Sequence, residues 1–170
     1  MCAEQMGWWQ SRRARYIVVF AAVIVLLSGW ETSAVWTVKR PGDVAPGQGR
    51  CFLELTPMTV SDGYQDIQVA MVVRADAVLI RTESPLDASF ADIGMQVDTQ
   101  TFVPMDAVAD RKVAVFTTQY PRLIAQFKQG NKVRVQLRFW PTWPETGIHA
   151  VTFSLVGFSK AYTAMLACLE

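Results

Sequence analysis

The sequence has few of the residues from which catalytic and metal sites are usually built. Its 170 residues include one histidine, His149, and three cysteines. It has no CxxCH haem-attachment motif and no glycine-rich phosphate loop. A catalytic nucleophile or base needs partner side chains that hold it in place, and a transition-metal site needs several nitrogen or sulfur ligands. We therefore expect no enzymatic activity, no catalytic residue, no cofactor and no bound metal, and we interpret His149 as a turn or strand-edge residue.

Charged residues are also scarce, at 18% of the chain, and the formal net charge is only +1. Arg12, Arg13 and Arg15 lie near the N-terminus against the lone Glu4, and from Glu31 onward acidic and basic residues nearly cancel. The sequence contains no basic patch large enough to follow a phosphate backbone. We therefore expect no nucleic-acid partner.

Apolar residues, by contrast, make up 51% of the chain, and the excess lies in residues 16–30 (YIVVFAAVIVLLSGW), which carry no charge. One interpretation is a secretory signal peptide that is cleaved after Thr32-Ser33-Ala34. The other is a retained signal anchor that extends to residue 36, because about 15 residues are too few to cross the hydrocarbon core. The preceding arginines predict a cytoplasmic N-terminus in either case. We expect the retained anchor, and cleavage remains the alternative.

Four tryptophans flank this segment, and we interpret them as contacts with the membrane or with partner subunits. Trp8 and Trp9 precede the arginines, where an interfacial belt is the simpler interpretation and docking to a membrane subunit is the alternative. Trp30 and Trp36 lie at the outer end, where tryptophan is common at the membrane interface.

Two further tryptophans, Trp140 and Trp143, lie in the stiff stretch FWPTWP of residues 139–144. Their rings could pack inward as a lid over the end of the domain. Alternatively, they could be exposed as an anchor for a protein partner or for the outer leaflet, because tryptophan is enriched at interface hot spots.

The cysteines differ in their predicted compartment. Cys2 precedes the apolar segment and is expected to stay reduced in the cytoplasm, whereas Cys51 and Cys168 follow it into an oxidising compartment. We predict a Cys51–Cys168 disulfide that joins the start of the domain to its end. The alternative is a pair of buried free thiols.

Residues 37–170 are predicted to form a mainly β domain, a β-sandwich of around eight strands with two short peripheral helices. The clearest strand is residues 132–140, in which Val133, Val135, Leu137 and Phe139 alternate with polar residues. It is expected to pair with residues 150–156. Strands are also predicted at 51–55, 67–73, 77–82, 95–98, 101–103 and 113–118.

The two helices are predicted from a change of period. Residues 121–129 start with a proline, end before Gly130 and place Leu123, Ile124 and Phe127 on one face. Residues 158–169 place Phe158, Tyr162, Met165 and Leu166 on one side.

Several short motifs resemble the invasion-associated locus B family of α-proteobacterial envelope proteins. Residues 154–162 (SLVGFSKAY) are similar to the SL-x-GF-x-x-A signature with which those domains close. Residues 84–87 (SPLD) and 94–98 (GMQVD) are similar to the family's PLG and VD segment. Residues 36–38 (WTV) match its opening strand, and residues 123–130 have its Leu/Lys/Gly helix character. The likeness spans residues 36–166.

The chain also departs from the family pattern. Lys39-Arg40 and the cysteine-free residues 105–116 occupy places where typical members carry cysteines, and Cys168 comes unusually late. The resemblance is therefore to a divergent member. It implies a secreted or periplasmic β-sandwich without enzymatic activity and, in some members, a link to host-cell invasion.

Taken together, the residues predict a bacterial inner-membrane protein with residues 1–15 in the cytoplasm, residues 16–36 in the membrane and residues 37–170 in the periplasm. We expect a non-catalytic accessory subunit of a larger complex, such as a respiratory or photosynthetic one, with integral membrane subunits and the lipid bilayer as partners. The alternative is a periplasmic or secreted invasion-associated factor with a cleaved signal peptide. An enzyme or ligand carrier is expected only if the sandwich contains a pocket.

Overall fold

The computed structural model describes residues 35–40, 50–141 and 147–169, all of which belong to one compact unit, Ser33–Glu170. The predicted membrane segment, residues 16–30, and the tryptophans Trp8, Trp9, Trp30 and Trp143 lie outside the described residues. Within the described residues, no helix is long and apolar enough to cross a membrane.

The domain is mainly β, with two antiparallel sheets and two short helices, as the sequence predicts. The described residues contain eleven strands rather than about eight, because several are only two to four residues long. The strands are β1 (Trp36–Lys39), β2 (Phe52–Leu55), β3 (Met58–Ser61), β4 (Asp66–Val73), β5 (Val78–Thr82), β6 (Gly94–Val97), β7 (Val103–Pro104), β8 (Ala107–Ala109), β9 (Val113–Phe116), β10 (Lys132–Leu137) and β11 (His149–Ser154). The helices are α1 (Tyr120–Gln129) and α2 (Phe158–Ala167).

The larger sheet has the order β1-β2-β4-β5-β9-β8, and β3 also pairs with β4. β2 and β3 lie on the same edge of β4, since Leu53 pairs with Val73 and Met58 pairs with Val69. The break between them falls at Thr56-Pro57, where proline has no N–H to donate to a neighbouring strand. The two short strands therefore act as one interrupted strand along β4.

The smaller sheet has the order β11-β10-β6-β7. Its central strand β10 is flanked by β11 and β6, and its register pairs Leu137 with His149 and Gln136 with Gly94. The predicted alternation is confirmed, since Val133, Val135 and Leu137 are fully buried. The strand ends three residues earlier than predicted, although Phe139 beyond it is also buried.

Both sheets and both helices contribute to a single hydrophobic core. Buried and exposed residues alternate along β10, because successive side chains of a strand point to opposite faces, whereas β4 is buried at every position from Val69 to Val73. The largest fully buried side chains come mainly from both sheets and both helices: Leu53, Leu55, Ile67, Met71, Ile80, Ile93, Met95, Phe116, Leu123, Phe127, Phe153 and Phe158.

A tight turn formed by residues 155–158 precedes and begins helix α2. Gly157 has a φ of 83°, a left-handed conformation that glycine adopts readily and other residues rarely do. The turn is closed by the Phe158 N–H, which donates to the Leu155 carbonyl at 3.0 Å. It places Phe158 in the core, so the Gly-Phe pair of the closing motif has a packing role.

The buried face of α2 was predicted correctly for three residues and wrongly for one. Phe158, Tyr162 and Met165 are buried, but Leu166 is 40% exposed. Adjacent residues of a helix are separated by about 100° around its axis, since there are 3.6 residues per turn. Leu166 therefore points away from the face that Met165 buries.

Trp36 is the first residue of β1, although the sequence analysis placed it at the outer end of the membrane segment. Its backbone pairs with Leu55, and its half-buried indole packs edge-on against Phe158 with 5.1 Å between ring centroids. The strand needs this residue for pairing and packing, so the domain starts before the predicted boundary at residue 37.

Candidate docking site at the loop end of the domain

Four connections meet at one end of the domain, which we call the loop end. It comprises the β3–β4 turn with the start of β4 (residues 62–66), the β5–β6 connection (83–93), the β8–β9 turn (110–112), and the described parts of the β10–β11 connection (138–141 and 147–149). Buried and half-buried polar side chains join three of the four connections.

Asp62 is the centre of the first polar group and is 93% buried, with 7% of its surface exposed. Its Oδ1 accepts hydrogen bonds from the backbone N–H groups of Tyr64 at 2.9 Å and Gln65 at 2.8 Å. Its Oδ2 accepts a hydrogen bond from the hydroxyl of Ser84. The first two bonds fold the β3–β4 turn around the carboxylate, and the third joins that turn to the β5–β6 connection.

Burial on its own would raise the pKa of Asp62, because it disfavours the charged carboxylate. The hydrogen bonds from Ser84, Gln65 and Tyr64, together with the electrostatic interaction with His149, outweigh that effect. The pKa of Asp62 is therefore lowered below its ordinary value of 3.8. The carboxylate remains ionised at neutral pH, as its role as a three-fold acceptor requires.

The Ser84–Asp62 contact differs from the arrangement that activates a serine for nucleophilic attack. In a catalytic triad a histidine lies between serine and aspartate and takes the serine proton. Here the Ser84 hydroxyl donates directly to the carboxylate, and His149, at the start of β11, lies beside the ring of Phe139 with 5.3 Å between ring centroids. This geometry holds the loops together.

A second polar group joins the β5–β6 connection to the start of the β10–β11 connection. The Nε of Arg138 donates to the two carboxylate oxygens of Asp92 at 2.9 and 3.0 Å, and Nη2 donates to Oδ2 at 2.6 Å. The guanidinium also lies 4.3 Å from the ring centroid of Phe90. The hydrogen bonds from Arg138 outweigh the desolvation of Asp92 and lower the pKa of that carboxyl below 3.8.

The loop end also exposes three large apolar side chains. Trp140 is 56% exposed, Tyr64 is 59% exposed and Ile148 is 46% exposed. The backbone N–H of Trp140 donates to the Pro85 carbonyl at 2.8 Å, and the preceding residue, Phe139, forms a β-bridge with Leu86. We call these three residues the apolar rim. Its tryptophan lies on backbone that the β5–β6 connection holds in place.

Four of the residues that the sequence predicts as functional lie within the described residues: Cys51, Cys168, Trp36 and Trp140. Cys51 and Cys168 form the predicted disulfide, with 6.0 Å between their Cα atoms. It joins the start of β2 to the residue that follows α2. Trp140 is exposed, so the lid interpretation is wrong for its ring. The assignment of Trp36 as a membrane or partner contact remains a prediction, since one side of its ring packs on Phe158.

Sequence reasoning assigned no functional role to Asp62, Ser84, Tyr64 or Ile148, and Ser84 was noted only as the first residue of the SPLD motif. The stretch Ser61-Asp62-Gly63 between two strand-like runs is a turn signal. Nothing in the sequence pairs that turn with Ser84, which lies 22 residues away.

Within the residues that the structure describes, no group of three or more His, Cys, Asp or Glu side chains could hold a metal ion. Comparison of the chain with protein-family models gives no match, and neither does comparison with curated proteins or with solved structures.

We expect the stability of the domain to depend on the charge of Asp62 at acidic pH. A carboxyl with a lowered folded-state pKa contributes stability above its unfolded pKa of about 3.9 and loses it as the pH falls through the folded value. The Asp62→Asn variant should therefore unfold more easily than the wild type at pH 7, and the difference should shrink between about pH 5 and pH 2. Urea denaturation at several pH values measures this difference.

The matched control is Asp66→Asn, which removes an exposed carboxylate at the start of β4 in the same loop end. It should change the free energy of unfolding at pH 7 by less than about 0.5 kcal/mol. A difference between Asp62→Asn and wild type that does not change with pH would show that the charge of Asp62 contributes nothing to folding.

Proposed function

We propose that this chain is a non-catalytic accessory subunit of a bacterial inner-membrane complex. In this proposal its N-terminal apolar segment is retained as a single membrane helix, and its β domain lies in the periplasm and contacts partner subunits. The observation that carries the proposal is the apolar rim, in which Trp140 is 56% exposed on a loop that is tied to the rest of the domain.

The polar groups beneath the rim support a binding role over a chemical one. Asp62 accepts three hydrogen bonds from its own loops, and Arg138 and Asp92 are paired with each other. The hydrogen bonds of these groups hold the loops of this end in place. What this end offers to another molecule is a set of exposed apolar side chains, and an exposed tryptophan on a tied backbone is typical of a protein-interface hot spot.

The disulfide supports the proposed compartment. Disulfides persist in oxidising environments such as the bacterial periplasm and are rare in the cytosol. Cys51 and Cys168 belong to the same domain as the rim, so an oxidising compartment for one is an oxidising compartment for the other. This agrees with the orientation that the N-terminal arginines predict.

Replacement of Trp140 by alanine is expected to release the protein from its partners without unfolding it. Truncation of a hot-spot tryptophan costs about 2 kcal/mol or more of binding free energy, which corresponds to at least about a 30-fold loss of affinity. Tagged full-length chain, purified from membranes in a mild detergent, should therefore retain little partner protein when it carries Trp140→Ala.

Two controls make this experiment decisive. Trp140→Phe keeps an aromatic ring and should retain more partner than the alanine variant. Circular dichroism should show the same thermal transition for both variants, because the ring is mostly exposed. Equal recovery of partners by wild type and Trp140→Ala would contradict the proposed role of the rim.

The alternative function, a periplasmic or secreted invasion-associated factor similar to the locus B family, is favoured by one observation. Strand β1 begins at Trp36, so cleavage before Val35 would remove no residue of the described strands. The intact mass of the mature protein separates the two functions. A species that begins at Met1 supports the anchored subunit, and one that begins near Val35 supports the released factor.

A further inference from the structure

The loop end that bears the apolar rim carries an excess of negative charge. Among its described residues, six carboxylates are accompanied by only three arginine and lysine side chains. Asp62 and Asp87 are buried, and Asp92 is paired with Arg138. The carboxylates that remain at the surface are Asp66, Glu83 and Asp110, and the exposed basic residues are Arg111 and Lys112.

The helices have the opposite charge. Helix α1 carries Arg122 and Lys128, helix α2 carries Lys160, and neither helix contains an acidic residue. The domain is therefore polarised, with acidic groups at the loop end and basic groups on the helices.

This polarity bears on what the apolar rim contacts. Anionic lipid surfaces attract basic segments, at about 1 kcal/mol for each lysine or arginine near the surface, and they repel acidic ones. A bilayer would therefore favour the helices over the loop end. A protein surface with apolar residues surrounded by basic ones would match the apolar side chains of the rim and the charge of the loop end.

We propose that the apolar rim of Tyr64, Trp140 and Ile148 binds a segment of a partner protein that is apolar at its centre and basic at its edges. This inference rests on the proposed function and specifies the chemistry of the partner. Trp140 supplies the apolar anchor, and Asp66, Glu83 and Asp110 attract the basic edge and disfavour acidic surfaces.

The test is site-specific photocrosslinking of the full-length chain in the membranes of the organism that carries it. The photoreactive residue p-benzoylphenylalanine replaces Trp140, and mass spectrometry identifies the crosslinked peptide. The expected product is a peptide of another protein that has apolar residues and a net positive charge. The matched control position is Val156, which is 68% exposed and lies between β11 and α2. It should give no crosslink to the same peptide.

Charge reversal gives a second measurement. Asp66→Lys places a positive charge at the start of β4 and should lower the crosslinking yield at position 140 by about fivefold. Asp76→Lys makes the same change in the turn after β4, where the Asp76 side chain is 78% exposed, and should leave the yield unchanged. Higher salt should reduce the wild-type yield and have less effect on the Asp66→Lys variant.

The possible failures are distinguishable. Crosslinks to lipid alone, to a second copy of this chain or to an acidic peptide would overturn the inference, and so would equal yields from the two lysine variants. If partner subunits co-purify but position 140 does not crosslink to them, the inference fails and the proposed function stands. If no membrane protein co-purifies with the full-length chain, the proposed function itself fails.

Discussion

Replacement of Phe158 by alanine is expected to lower the free energy of unfolding by about 3–5 kcal/mol, the usual cost of truncating a fully buried phenylalanine. The ring is 0% exposed and contacts three other aromatic rings. It packs edge-on against Trp36 of β1 and Phe127 of α1, and it stacks on Tyr162 within α2. The alanine variant would leave a cavity where these three elements meet.

Two features make this position unusually sensitive. The Trp36 Nε1 is buried and has no hydrogen-bond acceptor among the residues that the structure describes, a cost that the packing of its ring against Phe158 helps to offset. The hydroxyls of Tyr120 and Tyr162 lie 3.0 Å apart, and that of Tyr120 also donates to the Arg74 carbonyl at 2.8 Å. Loss of the Phe158 ring would weaken the packing that positions these groups.

Urea denaturation followed by circular dichroism measures the effect. The control is Leu166→Ala on the same helix, where the side chain is 40% exposed and the expected loss is about 1 kcal/mol or less. Equal losses for the two variants would contradict the assignment of Phe158 as the residue that joins α2 to β1 and α1.

Removal of the disulfide is expected to have a comparable effect by a different mechanism. The bond closes a loop with a sequence separation of 117, and in the chain-entropy model a loop of this size stabilises the folded state by about 4–5 kcal/mol. The double variant Cys51→Ala/Cys168→Ala should lose roughly that amount. The loss arises chiefly because the unfolded chain gains conformational freedom.

A reducing agent provides the matched comparison. It should lower the stability of the wild type towards that of the double variant, and it should leave the double variant unchanged. Cys2→Ala should have no effect on either measurement, since Cys2 is not part of the bond. If reduction leaves the wild-type stability unchanged, the bond makes no contribution to folding.

Much of the fold could be predicted because its elements have local sequence patterns. The alternation of residues 132–137 predicts β10 and its buried face, since a strand's side-chain period is two. The proline at the start of α1 and the apolar spacing of Leu123, Ile124 and Phe127 predict that helix. Short strands such as β7, with two residues, were difficult to delimit because so few residues carry a pattern.

The candidate site was predictable only in part. The sequence singles out Trp140 because tryptophans and prolines together make a stiff, amphipathic connection between strands, but the exposure of its ring depends on packing that the sequence does not show. Tyr64 and Ile148 are single apolar residues beside turns, which are common on protein surfaces. The role that we propose for them depends on their loops meeting at one end of the domain, which the sequence does not show.

The sequence by itself determined the mainly β class, the two short helices and the cysteine pair of the disulfide, because each follows from residue type and spacing along the chain. The tertiary structure decided how distant residues combine. It joins Asp62 to Ser84 and Arg138 to Asp92, pairs separated by 22 and 46 positions. It also buries Phe158 at the junction of three elements and leaves Trp140 exposed. The physical reason is that burial and hydrogen bonding depend on which loops and faces the sheet topology brings together, and local periodicity contains no information about those long-range contacts.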